Sequence, residues 1–343
     1  ALQNNFLALK HDFAKNPNIS HLFRQHCKLI DQLLIQLWAE LHTDGSCCLI
    51  AVGGYGRGEL YPHSDIDLLI LVPEKSNHNT GLSGAIERLI GLMWDIGLNV
   101  GHSVRSLSEC VIEAKKDITV QTNLLESRLL TGEKSLYQRF TSETHHLADP
   151  VAFFEAKIQE QDQRHSKYND TAYNLEPNIK ESPGGLRDLH MIAWLARSLN
   201  LDFISHAATS SIWNFLTKNN VISTREARLI RAHEKKLQSL RIHLHFLSGR
   251  REDRLLFDFQ NEIAATLGYV NTPAKRASEQ LMQTYYRSVK FVDLINEILL
   301  KQFKQMLAEK PAMIESINGR FEARDHLLEA KNANLLQQQP NAI

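Results

Sequence analysis

Neither sign of charge is in excess in this 343-residue sequence: Lys plus Arg and Asp plus Glu each number 39, so the formal net charge is zero. A dedicated nucleic-acid binder carries a basic excess or a clustered basic stripe. Its absence argues against a polynucleotide partner and against tRNA- or DNA-tailing chemistry. Cysteine is scarce, with Cys27, the adjacent pair Cys47 and Cys48, and Cys110. None forms a CxxC pair and sequence neighbours make poor disulfide partners, so reduced, buried thiols of a cytoplasmic protein are expected. No apolar run approaches the roughly 18 residues of a membrane-spanning helix. The N-terminal ALQNNFLALKHDF also lacks the charged, apolar and small-residue succession of a signal peptide. No membrane is expected, and the cytoplasm is the expected compartment. There is no internal repeat and no GxxxxGK[ST] phosphate loop. Glycines at 53, 54, 56 and 58 do not satisfy GxGxxG, and the next strand follows too soon for a dinucleotide-binding unit.

What is present is ordinary for a globular chain, with 43 % hydrophobic and 23 % charged residues, and the length suggests two domains. Helical spacing of Leu22, Phe23, Cys27, Ile30, Leu33, Leu34, Leu37, Trp38 and Leu41 predicts an amphipathic helix over 19–42. Asp44-Gly45-Ser46 breaks the chain, and short apolar strands are expected at 47–52, 65–72 and 98–105. A helix is expected at 81–96 between the second and third strands. Another opens at Ser106 with Glu109 completing a capping box, and a further one spans 117–130. Beyond Asp149-Pro150, helical patterns cover 151–168, 186–199, 208–217, 223–248, 253–267 and 274–306. The expected architecture is α+β: a small mixed-sheet domain with an N-terminal helix over 1–145, then an all-helical domain over 146–310. Residues 311–343 read as a polar linker or frayed tail.

The chemistry is concentrated in AVGGYGRGELYPHSDIDLLILV, residues 51–72. Side chains alternate along a strand, so Asp65 and Asp67 share a face with Cα atoms about 6–7 Å apart, opposite Ile66, Leu68, Ile70 and Val72. Two carboxylates at the mouth of a buried strand repel one another unless a cation lies between them, and Mg²⁺ or Mn²⁺ suits oxygen donors. Gly53 and Gly54 close the preceding strand and allow backbone amides to approach a phosphate. A helix turn starting there would also favour negative charge. Arg57 and the Ser64 hydroxyl could add direct phosphate contacts.

A strand, Gly-Gly, a ten-residue polar connection, Ser-Asp-x-Asp and an apolar strand together resemble the signature of the DNA polymerase β-like nucleotidyltransferase superfamily. The blocks GGYGRGELYPHSDIDLLIL, LMWDIGLNVGHSVRS, TNLLESRLLTG and NIKESPGGLRDLH, in that order, are similar to the uridylyltransferase portion of the bifunctional PII uridylyltransferase/uridylyl-removing enzymes, over nearly the whole chain to about residue 330. The resemblance implies Asp65 and Asp67 as catalytic metal ligands, and Gly53, Gly54 and Ser64 as the triphosphate cradle. It also implies transfer of UMP from UTP to a tyrosine hydroxyl of the signalling protein PII, releasing pyrophosphate for nitrogen regulation. Members of the family continue into a phosphohydrolase domain and two ACT domains, so this chain is expected to be an N-terminal portion without the removing activity or glutamine sensing.

The superfamily often has a third carboxylate on the strand after the intervening helix, and LNVGHSVRS contains none. Glu126, Glu181 and Asp188 are open substitutes, or two aspartates suffice; Glu126 could equally be a charge beside Arg128 on a solvated helix face. In NLEPNIKESPGGLRDLH, residues 174–190, Lys180, Glu181, Gly184, Gly185, Arg187 and Asp188 cluster where a helical domain has no structural need for them. A similar KxxxGGxxD segment occurs in glutamine synthetase adenylyltransferases. The expectation is a loop closing over the nucleotide with Lys180 or Arg187 on phosphate or base, against a helix-start loop with surface charges. His243 and His245 stand two apart on a helix and do not share a face, a poor metal pair. His63 and His102 are candidates for substrate contact, each against a plain surface role. Tyr285-Tyr286 and Arg250-Arg251 read as packing and solvated charge, although RREDRL could contact nucleotide or PII. Two alternatives stay open: an ATP-dependent protein adenylyltransferase of the same fold, and a nucleotide-sensing module that has lost its chemistry.

Overall fold

In the computed structural model, the strand carrying the aspartates is the centre of construction. The structure describes residues 2–40, 46–74, 80–145, 147, 149–168, 170–171, 173–199, 209–308, 314–324 and 327–331. The break at Asp44-Gly45 and the tail from residue 332 lie outside the described residues. Helices α1 (Leu2–Lys15) and α2 (Ile19–Glu40) lead into β1 (Cys48–Ala51), a single helical turn α3 (Gly53–Gly56) and β2 (Ile66–Val72). Then follow α4 (Thr80–Asp95), β3 (Val100–Ser106), α5 (Leu107–Lys116), α6 (Ile118–Leu125), β4 (Arg128–Gly132) and α7 (Lys134–His145).

The sheet order is β3-β2-β1-β4, with β2 parallel to β3 and both other pairs antiparallel. Period-two alternation divides the strands between two cores. Leu49, Ala51, Ile66, Leu68, Ile70 and Val72 pack with Ile30, Leu34 and Trp38 of α2 and Ile86, Leu89 and Met93 of α4. Cys48, Ile50, Leu69 and Leu71 pack on the other side with Cys110 of α5, Leu124 of α6 and Phe140 of α7. The face assignment expected for β2 is thus the observed one. All four cysteines are buried free thiols.

The helical continuation is α8 (Pro150–Ser166), α9 (Leu186–Ser198), α10 (Thr209–Lys218), α11 (Thr224–Ser248), α12 (Phe257–Thr266) and α13 (Ala277–Leu307). Local chemistry sets several ends. Ser106 and Glu109 form the expected capping box of α5, with bonds of 2.7 and 3.3 Å. Ser223 and Glu226 repeat it on α11, which Gly249 ends in the left-handed conformation at φ 65°. The chain divides into two compact units, Ala1–Ile298 and Leu299–Ile343. Among the described residues no helix is long and apolar enough to cross a membrane.

Three expectations need correction. The helix over 117–130 stops at Leu125, and residues 128–132 form the edge strand β4 on β1. The run Leu129-Leu130 suits either state, and an open edge of β1 decides for a strand. The helix placed at 253–267 begins only at Phe257, because Leu255 and Ile179 donate backbone bonds to Pro177 and Asp253 instead. Residues 311–343 are not merely a tail: β5 (Ile314–Ser316), β6 (Phe321–Arg324) and β7 (Leu327–Ala330) form an antiparallel meander in the second unit. Helices α1 and α7 went unforeseen.

Candidate active site

The turn after β1 and the start of β2 are held as one piece. Val52 donates to the Asp67 carbonyl at 3.0 Å, and Ala51 pairs with Leu68. Gly53 has φ 58°, a conformation L side chains rarely adopt. A Cβ there would also stand 3.4 Å from an Asp67 carboxylate oxygen, so the bare backbone faces the aspartate. Gly53 and Gly54 form the first turn of α3, where backbone amides have no acceptor within the helix.

Asp65, Asp67, Gly53, Gly54, Arg57, Ser64, Lys180 and Arg187 all line one cavity of about 200 Å³ within the first unit. The structure brings these eight residues to one place, whereas Glu181, Asp188, His63 and His102 are absent from the lining. Asp65 accepts hydrogen bonds from the Asn99 amide and the Arg251 guanidinium. Burial, and then the neighbouring charge of Asp65, push the Asp67 pKa up, against the pull of Lys180, Arg251 and Arg57.

On β3, Gly101 lies in register with Asp67, and a Cβ on it would come within 2.7 Å of the Asp67 carboxylate. A side chain at that point of the strand expected to carry a third acid would therefore push the Asp67 carboxylate aside. Glu126, the first substitute, lines the cavity but is 3 % exposed, so the solvated helix face is wrong for it. Its carboxylate accepts from Arg57, from Trp194 Nε1 at 2.5 Å and from Arg197 at 3.1 Å. Asp188 is fully buried, taking hydrogen bonds from Gly184 N at 2.7 Å and Gln161 at 3.1 Å and a salt bridge from Arg164. It braces the loop and lies outside the cavity. Glu181 pairs with Arg187 at 3.0 Å and Lys180 at 3.4 Å.

The loop from 174 to 185 is built rather than loose. Asn178 Oδ1 accepts from the amides of Lys180 and Glu181 at 3.0 and 2.8 Å, and Ser182 Oγ accepts from Asn178 N at 3.0 Å. Ile179 and Ser182 are fully buried, which excludes a surface helix-start loop. Lys180 is held in the cavity wall; burial first, then Arg187 and Arg241, lower its pKa to about 8. Arg187 lies 5.3 Å from the Trp194 ring. Arg57 is committed to Glu59 at 3.2 Å and to Glu126, so it forms wall rather than a mobile arm.

Sequence reasoning missed several lining residues. Arg251, read as solvated charge, contacts Asp65; its place in RREDRL was the available signal. Lys157, with Nζ 2.6 Å from Glu160 and 4.3 Å from the Trp194 ring, and Asn123 gave none, because helical periodicity makes them look like packing positions. His245 is buried, with Nε2 3.1 Å from Asp253 and Nδ1 on the Pro62 carbonyl. It ties α11 to the segment before Ser64, and His243 does not join it. His102 is exposed near Trp94, away from the cavity. His63 adopts φ 57° beside the Phe6 ring. Tyr285 is packed in the interior, as expected.

Comparisons with known proteins agree with this geometry. Residues 36–123 match the nucleotidyltransferase domain family, and residues 152–300 match the family described as GlnD PII-uridylyltransferase. A protein of Nitrosospira multiformis named bifunctional uridylyltransferase/uridylyl-removing enzyme is 46 % identical over 98 % of this chain and 38 % of its own length. Proteins of the same name from Chromobacterium violaceum (44 %, covering 93 % of this chain and 36 % of the relative) and Ralstonia nicotianae (43 %, covering 96 % and 37 %) are similar throughout. The chain thus spans a little over a third of the length of these curated relatives. Both matched segments face one cavity, so the chain carries a nucleotidyltransferase domain and, after it, a segment of the GlnD PII-uridylyltransferase type.

Proposed function

We propose that this chain transfers UMP from UTP to a tyrosine hydroxyl of the signalling protein PII, releasing pyrophosphate, in the cytoplasm. The observation that carries the reading is the convergence of Asp65 and Asp67 with the glycine turn, Ser64 and two loop cations on one cavity. In this reading residues 1–145 are the nucleotidyltransferase domain and 146–310 the helical domain that completes the pocket with Lys180, Arg187 and Arg251. Neither nucleic acid nor a membrane is required.

The donor set fits a divalent ion on its chemistry. Asp65 and Asp67 offer only hard oxygen ligands, as Mg²⁺ or Mn²⁺ prefers, and the raised Asp67 pKa marks a place where a further positive charge is favoured. A bound divalent ion would supply charge stabilisation at the triphosphate and the attacking oxygen. The chain's own groups do the rest. The Gly53 and Gly54 amides and the Ser64 hydroxyl meet phosphate oxygens, while Lys180 and Arg187 neutralise the leaving pyrophosphate. Arg57 acts through the potential of its fixed guanidinium. A bond forms between the tyrosine oxygen and the α-phosphorus. The bond from that phosphorus to the bridging oxygen breaks, pyrophosphate departs with the electron pair, and the phenol proton passes to solvent.

The test is transfer of label from α-labelled UTP to purified PII with Mg²⁺ or Mn²⁺, beside ATP and the Asp65→Asn/Asp67→Asn variant. Label from UTP that vanishes in the variant is expected. Label from ATP alone would overturn the donor, and label that persists in the variant would overturn the roles of the aspartates.

A further inference from the structure

A second cavity, of about 620 Å³, adjoins the first and shares Leu60, Ser64 and Arg251 with it. Gly53, Gly54, Lys180 and Arg187 line the first cavity and not the second, which is therefore separate from the proposed triphosphate cradle. Its walls are apolar: Phe6 and Leu7 of α1, Leu29 and Ile30 of α2, and Leu60 and Leu98. The two histidines in the wall do not alter that character. His26 Nδ1 lies 3.1 Å from the Leu60 carbonyl, and burial, with a smaller contribution from the charge of His63, lowers its pKa to about 4. Among the described lining residues the Lys, Arg, Asp and Glu side chains are Arg250 and Arg251 alone.

One edge of the cavity is polar, and its side chains are partners of Asp65. Asn99 and Arg251 line the cavity, and both hydrogen-bond Asp65. The space is therefore apolar in its body and polar at one end, with a cation beside that end. Resting on the transferase reading above, we propose that this cavity is the acceptor pocket: it takes the phenol ring of the substrate protein's tyrosine between Leu29, Leu60 and Leu98, with the hydroxyl at the Ser64–Asp65 edge.

Tyrosine matches this distribution because its ring is a large apolar surface with a polar tip. A serine or threonine hydroxyl would leave the walls uncovered. A nucleic-acid strand would bring phosphate charge against apolar surface, which is costly. Charge complementarity at the tip agrees, since the phenol oxygen becomes more negative as its proton leaves and Arg251 stands at that end.

The experiment uses two substitutions that avoid the nucleotide cavity. Leu29→Trp fills the pocket from a half-buried position on α2, and Leu7→Arg charges its mouth from a position that is 61 % exposed. Both are compared with the parent protein for UTP affinity by calorimetry with Ca²⁺, and for KM towards purified PII. The expected result is a KM raised at least tenfold by Leu29→Trp and several-fold by Leu7→Arg, with UTP affinity held within twofold. Leu7→Arg keeps the test decisive if the tryptophan impairs folding. An unchanged KM in the folded variants would overturn the pocket. So would a parallel loss of UTP affinity, which would assign the cavity to the donor nucleoside. Failure of the parent protein itself to transfer label from UTP would overturn the transferase reading and this pocket with it, and that failure is recognised because it needs no substitution.

Discussion

Replacing Glu126 with alanine removes the carboxylate that Arg57, Arg197 and the Trp194 indole share in the interior. The side chains of Arg57 and Arg197 are 7 % and 3 % exposed, and that of Glu126 is 1 % exposed. Arg57 retains Glu59, but the charge that also neutralises Arg197 is gone. Breaking a buried ion pair by removing one partner costs about 3–5 kcal/mol, a large part of the roughly 5–15 kcal/mol that holds a domain folded. Glu126→Gln keeps the shape and one acceptor and loses the charge, so about 2 kcal/mol is expected. Urea unfolding followed by circular dichroism measures both. The same variants separate a structural carboxylate from a third metal ligand. A structural Glu126 lowers stability and leaves the metal concentration for half-maximal transfer unchanged in the folded fraction. A loss below about 1 kcal/mol for the alanine variant, together with a raised metal requirement, would refute the reasoning.

Other consequences are equally measurable. Gly101→Ala pushes a methyl group against the Asp67 carboxylate, so kcat is expected to fall about tenfold to a hundredfold with UTP affinity largely kept; an unchanged kcat in steady-state assays would show that Asp67 has room to move. Lys180 loses its charge as pH rises through about 8, so kcat/KM for UTP should decline there. Lys180→Ala should lower kcat/KM about tenfold to a hundredfold and flatten that limb of the profile. Glu181 is opposed by burial, but the Arg187 charge and hydrogen bond, with Lys180 and Arg164, bring its pKa down to about 2. A depressed carboxylate stabilises the fold above its unfolded pKa, and that stability is lost as pH falls. Unfolding free energy should therefore drop as pH falls from the ordinary glutamate value of 4.5 to about 2, and Glu181→Gln should be less pH-sensitive in that window.

The acidic half of the site was legible because its signals are local. Alternation places Asp65 and Asp67, glycines mark the turn, and the two faces of β2 follow from parity. The other half depends on long-range approach. Trp194 and Lys157 sit at ordinary helical positions, and only tertiary packing turns them towards the cavity. Arg251 contacts an aspartate 186 residues earlier in the chain, a relation that no spacing rule contains. Strand β4 was missed for the same reason: Leu129-Leu130 carries no decisive period, and the choice is made by the open edge of β1.

The clamp between β1 and β2, through Val52 and Asp67, bears on the order of assembly. Its partners are separated by only fifteen positions, so closing that loop costs little chain entropy and is fast. Lys180, Arg187 and Arg251 must come from more than a hundred residues downstream. A nascent sheet therefore presents paired carboxylates before their neutralising cations arrive, and docking of the helical segments relieves that repulsion. In refolding experiments, sheet formation should run ahead of the recovery of nucleotide binding, and added divalent ions should narrow the interval between them.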